Sequence, residues 1–327
     1  MRSINRPSGG RPLPTAAIIF SQPAPGLVLL SEMDAPDFLL IPLTCALLYV
    51  VSMLAMKRAA DFGVGVWRTA FCANWAAALF FLPLWFVYGR ADLPWTAYWQ
   101  PATAGLVFLL AQVCMFLAVT RGDVSVAAPV LGLKVVLVAL FSSLLRVGEV
   151  PAAWWAGAGL STLGVALLNL GGGRHHAART APTVAIAGVC AVLFSLSDVL
   201  IQKWGSVWGP GRFLPPMFLL VGCFSFALLG FARGGLAAIR AGAWRWVGLG
   251  SLCNGLTHFG ISLTLAIWGH ATAVNVVYSI RGLFSVLLVW WVGHWFTNPE
   301  RHAGRRVLLT RLAGAAAMLG AIGLVLA

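Results

Sequence analysis

Charge is scarce in this chain. Only 9% of its 327 residues are Asp, Glu, Lys or Arg, against roughly 25% in soluble domains, which excludes an ordinary water-soluble surface. Acids are scarcest, nine against 22 Lys and Arg. The formal charge of +13 is not read as a nucleic-acid footprint, because no basic stripe interleaved with aromatics occurs outside the apolar runs. Basic residues sit instead in short segments between those runs, where they orient a membrane protein and meet anionic lipid. The six cysteines, Cys45, Cys72, Cys114, Cys190, Cys223 and Cys253, lie within apolar runs, with no CxxC and no Cys/His ligand spacing. That pattern argues against a metal site or a disulfide framework, and no cofactor is expected. The chain also lacks GxxxxGK[ST], so ATP is not the expected energy source.

What is present is apolar: 60% hydrophobic residues and a mean hydropathy of +0.88. At roughly 20 residues per span, ten spans are expected, at 37–56, 66–88, 101–119, 124–145, 152–170, 182–203, 213–231, 246–268, 272–296 and 308–327. Residues 1–36 carry Arg2, Arg6 and Arg11 and are interrupted by Pro23 and Pro25, so they read as a disordered tail. Met33, directly before the first span, is an alternative start. The segment 171–181, which opens Gly171-Gly172-Gly173-Arg174, reads as an exposed linker between two halves, 37–170 and 182–327.

The halves resemble each other. Cys45-Ala46-Leu47-Leu48-Tyr49 is echoed by Cys190-Ala191-Val192-Leu193-Phe194, and Ser52 by Ser197, at an offset of 145 residues. At an offset of 147, Gly122 matches Gly269 and Lys134 matches Arg281. An odd number of spans per copy inverts the second copy relative to the first. The expected fold is therefore an all-α polytopic membrane protein with ten transmembrane helices in two inverted five-helix repeats.

Cations in the middle of spans cost roughly 2.5–3.5 kcal/mol each on insertion scales. Two at matched positions point to a polar, solute-binding centre where the repeats meet. Lys134 and Arg281 are its core. Asn275, Tyr278, Arg281 and Ser285 form one helical stripe, and Ser251, Asn254 and His258 a second. The candidate binding residues are Lys134, Arg281, Tyr278, Asn275, Ser285 and Asn254. Asp198 is the one acid well inside a span. It is expected either as a counter-ion to Lys134 or Arg281, or, with His258, as a carrier of coupled protons. Gln112 is a further mid-span amide.

The stretch Arg121-Gly122-Asp123-Val124-Ser125-Val126-Ala127-Ala128-Pro129-Val130, followed by Gly148-Glu149 and the helix bearing Gly157 and Gly164, resembles the EamA-type repeat of the drug/metabolite transporter superfamily. The likeness is weaker in 182–327, where Val276 replaces Pro129 and the loop Phe296–Arg301 replaces the Gly-Glu turn. The resemblance implies ten helices, a central cavity between the repeats, and secondary transport of small metabolites, often export. The expected function is a carrier moving a small anionic or zwitterionic metabolite, amino-acid-like or an organic acid, across the bacterial inner membrane by alternating access. Expected partners are that metabolite and membrane lipids, with no nucleic acid, and a homodimer is an assembly state open to it. A membrane-embedded enzyme acting on a lipid-linked substrate is the alternative, with Glu300 and His302 as its only loop pair; a non-transporting assembly subunit is a third class.

Orientation divides the two lines of reasoning. Thirteen cations lie in the loops after the first, third, fifth, seventh and ninth spans, against seven on the other side, three of those in the tail. The positive-inside rule then puts both termini outside, whereas the resemblance implies both in the cytoplasm. A membrane-impermeant probe on intact cells should reach a C-terminal tag where the charge bias sets the topology, and should miss it where the arrangement implied by the resemblance holds. Labelling only after the cells are opened would mean that the charge bias does not set the topology.

Overall fold

The computed structural model describes residues 37–87, 94–121, 127, 130–169, 177–232, 234–292 and 305–327. The expected N-terminal tail and the residues Gly122–Val126, Ala128, Pro129, Glu300 and His302 fall outside these. The described residues form helices joined by turns: α1 Leu40–Asp61, α2 Val66–Phe81, α3 Leu84–Val87, α4 Trp99–Arg121, α5 Lys134–Leu144, α6 Ala152–Asn169, α7 Ala177–Trp208, α8 Pro210–Phe224, α9 Phe226–Leu229, α10 Ala241–Ile267, α11 Ala271–Tyr278, α12 Arg281–Val292 and α13 Arg305–Leu326. A helix satisfies its own backbone groups, as lipid demands.

Among the described residues six helical stretches are long and apolar enough to cross a membrane: Asp37–Asp61, Val66–Val87, Trp95–Ala118, Ala181–Trp208, Pro210–Leu229 and Leu309–Leu326. Val130–Leu144 and Ala152–Leu168 are shorter apolar helices. α10 has 27 residues, but Asn254 and His258 lower its hydropathy. The expected ninth span is divided into α11 and α12. Trp95, Trp99 and Trp244 stand 84%, 57% and 44% exposed near helix starts, in keeping with an interfacial belt.

Two boundaries differ from expectation. The linker was expected to run to residue 181, yet α7 begins at Ala177. Its Ala-rich opening favours helix, and the helix continues past Pro182, which lies inside it. α7 and α8 are separated only by Gly209, whose φ of +74° turns the chain sharply at little steric cost, and Pro210 starts the next helix.

The most extensive helix contacts join residues before and after the linker: α1 with α10, α6 with α13, α4 with α7, α2 with α10, α2 and α4 with α8, and α5 with α7; α5 also meets α11. Phe81 stacks on Phe218 at 4.1 Å in the interior. α6 and α13 approach backbone to backbone. A Cβ on Gly314 would stand 2.8 Å from the Gly164 carbonyl oxygen and 2.9 Å from the Leu168 nitrogen, the close approach that small residues allow in lipid.

Gly314→Val should therefore separate these helices at a cost of about 1–3 kcal/mol, seen as a lower melting temperature in detergent. Gly323→Val, where nothing lies within 4 Å of the added carbon, is the control expected to leave that temperature unchanged.

Candidate functional site

Both mid-span cations stand where a helix is interrupted. Leu133 is a turn residue whose N–H bonds to Val130 O, and α5 begins at Lys134. In the matching place, Ser279 and Ile280 form tight turns back to Val276 O and Val277 O, and α12 begins at Arg281. Neighbouring residues of α6 steady both interruptions. Thr162 Oγ1 donates to Gly132 O at 3.1 Å, and Ser161 Oγ lies 2.6 Å from Ser279 Oγ. Short 3₁₀ turns inside helices often mark functional positions.

Lys134 Nζ and Asp198 Oδ2 form an ion pair at 2.8 Å, with side chains 13% and 8% exposed. Asn275 Nδ2 donates to the same oxygen, also at 2.8 Å, and to Ala271 O. Ser195 Oγ lies within donating distance of Lys134 O and Ala191 O. Three helices thus converge on one carboxylate: α5 through Lys134, α7 through Asp198 and α11 through Asn275. An ion in such surroundings persists only when paired and hydrogen-bonded, and this arrangement meets both conditions.

Arg281 has different company. Its guanidinium lies over the rings of Tyr278 at 4.4 Å and Tyr49 at 4.9 Å, and those rings meet edge to face. Among the described residues it has no ion-pair partner. The Lys134 ammonium lies over the Phe194 ring at 5.6 Å. The two rings facing the two cations, Tyr49 and Phe194, are the pair matched at the 145-residue offset.

A cavity of about 90 Å³ brings these groups together, lined by Lys134, Asp198, Arg281, Tyr278, Tyr49, Asn254, His258 and Gln112, with Met53, Met115 and Phe108 among its apolar walls. Of the expected binding residues, Lys134, Arg281, Tyr278 and Asn254 line it. Asn275 stands behind the Asp198 carboxylate. Ser285 does not line it; its hydroxyl donates to Arg281 O at 2.8 Å, the local bond that a helical serine readily makes. His258 lines the cavity with its ring edge-on to Phe108 at 5.0 Å. Gln112 Oε1 is buried without a hydrogen-bond partner among the described residues. Tyr49 was absent from the residues expected at the site. The signal for it was its match to Phe194 in the repeat.

Residues 38–170 match the EamA-like transporter family, in keeping with membership of the drug/metabolite transporter superfamily. No curated protein matches the chain. A solved crystal structure, titled only as that of a protein, is similar with a TM-score of 0.70 at 20% identity, covering 89% of this chain and 96% of its own. At that identity the likeness speaks for the fold alone.

Truncating one member of a buried ion pair leaves the other unmatched. Asp198→Ala should cost about 3 kcal/mol, the lower end for a buried pair because a cavity adjoins it. Thermal unfolding in lipid nanodiscs measures this, and the double variant Asp198→Ala/Lys134→Met should recover most of the loss.

Proposed function

We propose that the chain is a secondary carrier of a small zwitterionic or anionic metabolite bearing a carboxylate, exporting it across the bacterial inner membrane by alternating access between two inverted five-helix repeats. The observation that carries this reading is the asymmetry of charge in the central cavity. Position 53 matches position 198 at the 145-residue offset, but one is Met and the other Asp, and both line the cavity. Lys134 is thereby neutralised and Arg281 is not. One positive charge remains, at the start of a helix whose dipole already favours an anion. A carboxylate supplied by the solute restores neutrality, and the planar guanidinium can hold it with two hydrogen bonds. Asp198 offers an acceptor for an amino group.

The reciprocal helix pairings and the matched ring–cation contacts support the two-repeat reading. The cavity also favours one direction of access. Met53 and Met56 lie toward the end of α1, Ala70 and Ala73 near the start of α2, and Met115 near the end of α4. It therefore extends toward the segments bearing Lys57, Arg58, Arg68 and Arg121. If the basic side is cytoplasmic, this is the state that loads a solute for export. Gradient-driven movement or exchange supplies the energy, with Asp198 and His258 as the groups that would carry protons.

Met53→Asp tests the charge argument without touching Arg281. It should supply Arg281 with the carboxylate that Lys134 already has, and reduce transport in proteoliposomes by about tenfold or more, since a charge-assisted hydrogen bond is worth about 1.5–3 kcal/mol. Met53→Leu should transport normally. Equal transport by both variants would refute the anchoring role of Arg281.

A further inference from the structure

A second cavity, of about 240 Å³, shares no lining residue with the first. Two turns wall it: one between α5 and α6, around Gly148 (φ +105°), and one between α10 and α11, at Gly269 and His270 (φ +72° and +52°). Gln202, one helical turn past Asp198 on α7, ties these turns together. Its Nε2 donates to Val147 O at 2.6 Å, and its Oε1 accepts from Ala271 N at 3.0 Å. A Cβ on Gly269 would stand 3.2 Å from that Nε2, so the turn fits closely around the amide.

The lining differs chemically from that of the central cavity. Its formally charged member is Glu149, an exposed carboxylate. Trp154 and Trp268 also line it, Trp268 stacked on Phe38 at 5.5 Å and Trp154 edge-on to His270 at 5.1 Å. Burial lowers the His270 pKa below the ordinary imidazole value, so that ring is neutral at pH 7 and brings no positive charge. Arg146 and Lys203 are exposed neighbours in sequence but do not line the cavity. The positive end of α11 is met by the Gln202 carbonyl oxygen on Ala271 N. Ser142 and Thr272, 3% and 1% exposed, belong to the lining, and among the described residues their hydroxyls have no hydrogen-bond partner. A buried hydroxyl left unpaired is costly, and a donor group on a ligand, or water carried with it, would satisfy one.

We infer that this cavity is a second binding site, selective for a primary ammonium group held by the Glu149 carboxylate against the Trp154 and Trp268 rings. Carboxylate and indole faces together favour a cation and reject an anion. The binding stands apart from the transport reading. Only its role rests on that reading: an amine-bearing solute pauses here on the far side of the Gln202 bridge, one helical turn from Asp198.

Hydrogen exchange of the full chain in nanodiscs tests the site without any transport assay. n-Propylammonium chloride should slow amide exchange in 147–154 and 268–272, roughly tenfold when the amine stands at about ten times its Kd. Sodium propionate should not. Glu149→Gln should abolish the slowing, while Arg281→Gln, which disables the central cavity, should preserve it. No slowing by the amine, equal slowing by propionate, or slowing that survives Glu149→Gln would each overturn the proposal.

Discussion

A lysine in the middle of an apolar helix bundle must be compensated, and the Lys134–Asp198 pair is how this chain does it. The pair requires α5, α7 and α11 to converge, since Asn275 completes the shell of the same carboxylate oxygen. It consumes the one acid placed well inside a span. Because that acid is taken, the second cation, Arg281, is left to its tyrosines. The polarity of the central cavity follows from this one expenditure of negative charge.

The two halves share a plan and differ where it matters. Each mid-span cation opens a helical segment after a tight turn, and each faces an aromatic ring from the first helix of the opposite half. α6 reaches both turns through adjacent residues, Ser161 and Thr162, so a single helix is in contact with both interruptions. The 145-residue match in sequence fails at Met53 and Asp198. An acid at both positions would have given each cation a carboxylate and left the cavity neutral. The substitution of an apolar residue for an acid on one side gives it a sign.

Much of this was legible in the sequence, for identifiable reasons. Hydropathy is enough to find the six long apolar helices among the described residues, since length and composition dominate in lipid, and the 147-residue offset joins Lys134 to Arg281 in the sequence alone. Ser285 was misplaced because helical spacing shows which residues share a stripe but not that a serine will bond to its own backbone. Tyr49 was overlooked because a lone tyrosine in an apolar helix carries little signal until its partner ring, Phe194, is placed against a cation. The division of the ninth span at Ser279–Ile280 was hidden as well. Neither residue breaks a helix by propensity, and the bond from Ser161 that steadies the turn lies 118 residues away.

The two cavities share no lining residue: Asp198 lines the first, and Gln202, one helical turn further along α7, lines the second. The first extends toward the basic segments; the second lies behind Gln202. An electron cryomicroscopy structure of the chain with its transported solute shows most directly where that solute puts its charges. The account predicts a carboxylate within hydrogen-bond distance of the Arg281 guanidinium, between Tyr49 and Tyr278. A solute whose carboxylate rests on Lys134 with the Asp198 pair broken, or one that lies clear of both cations, would contradict it.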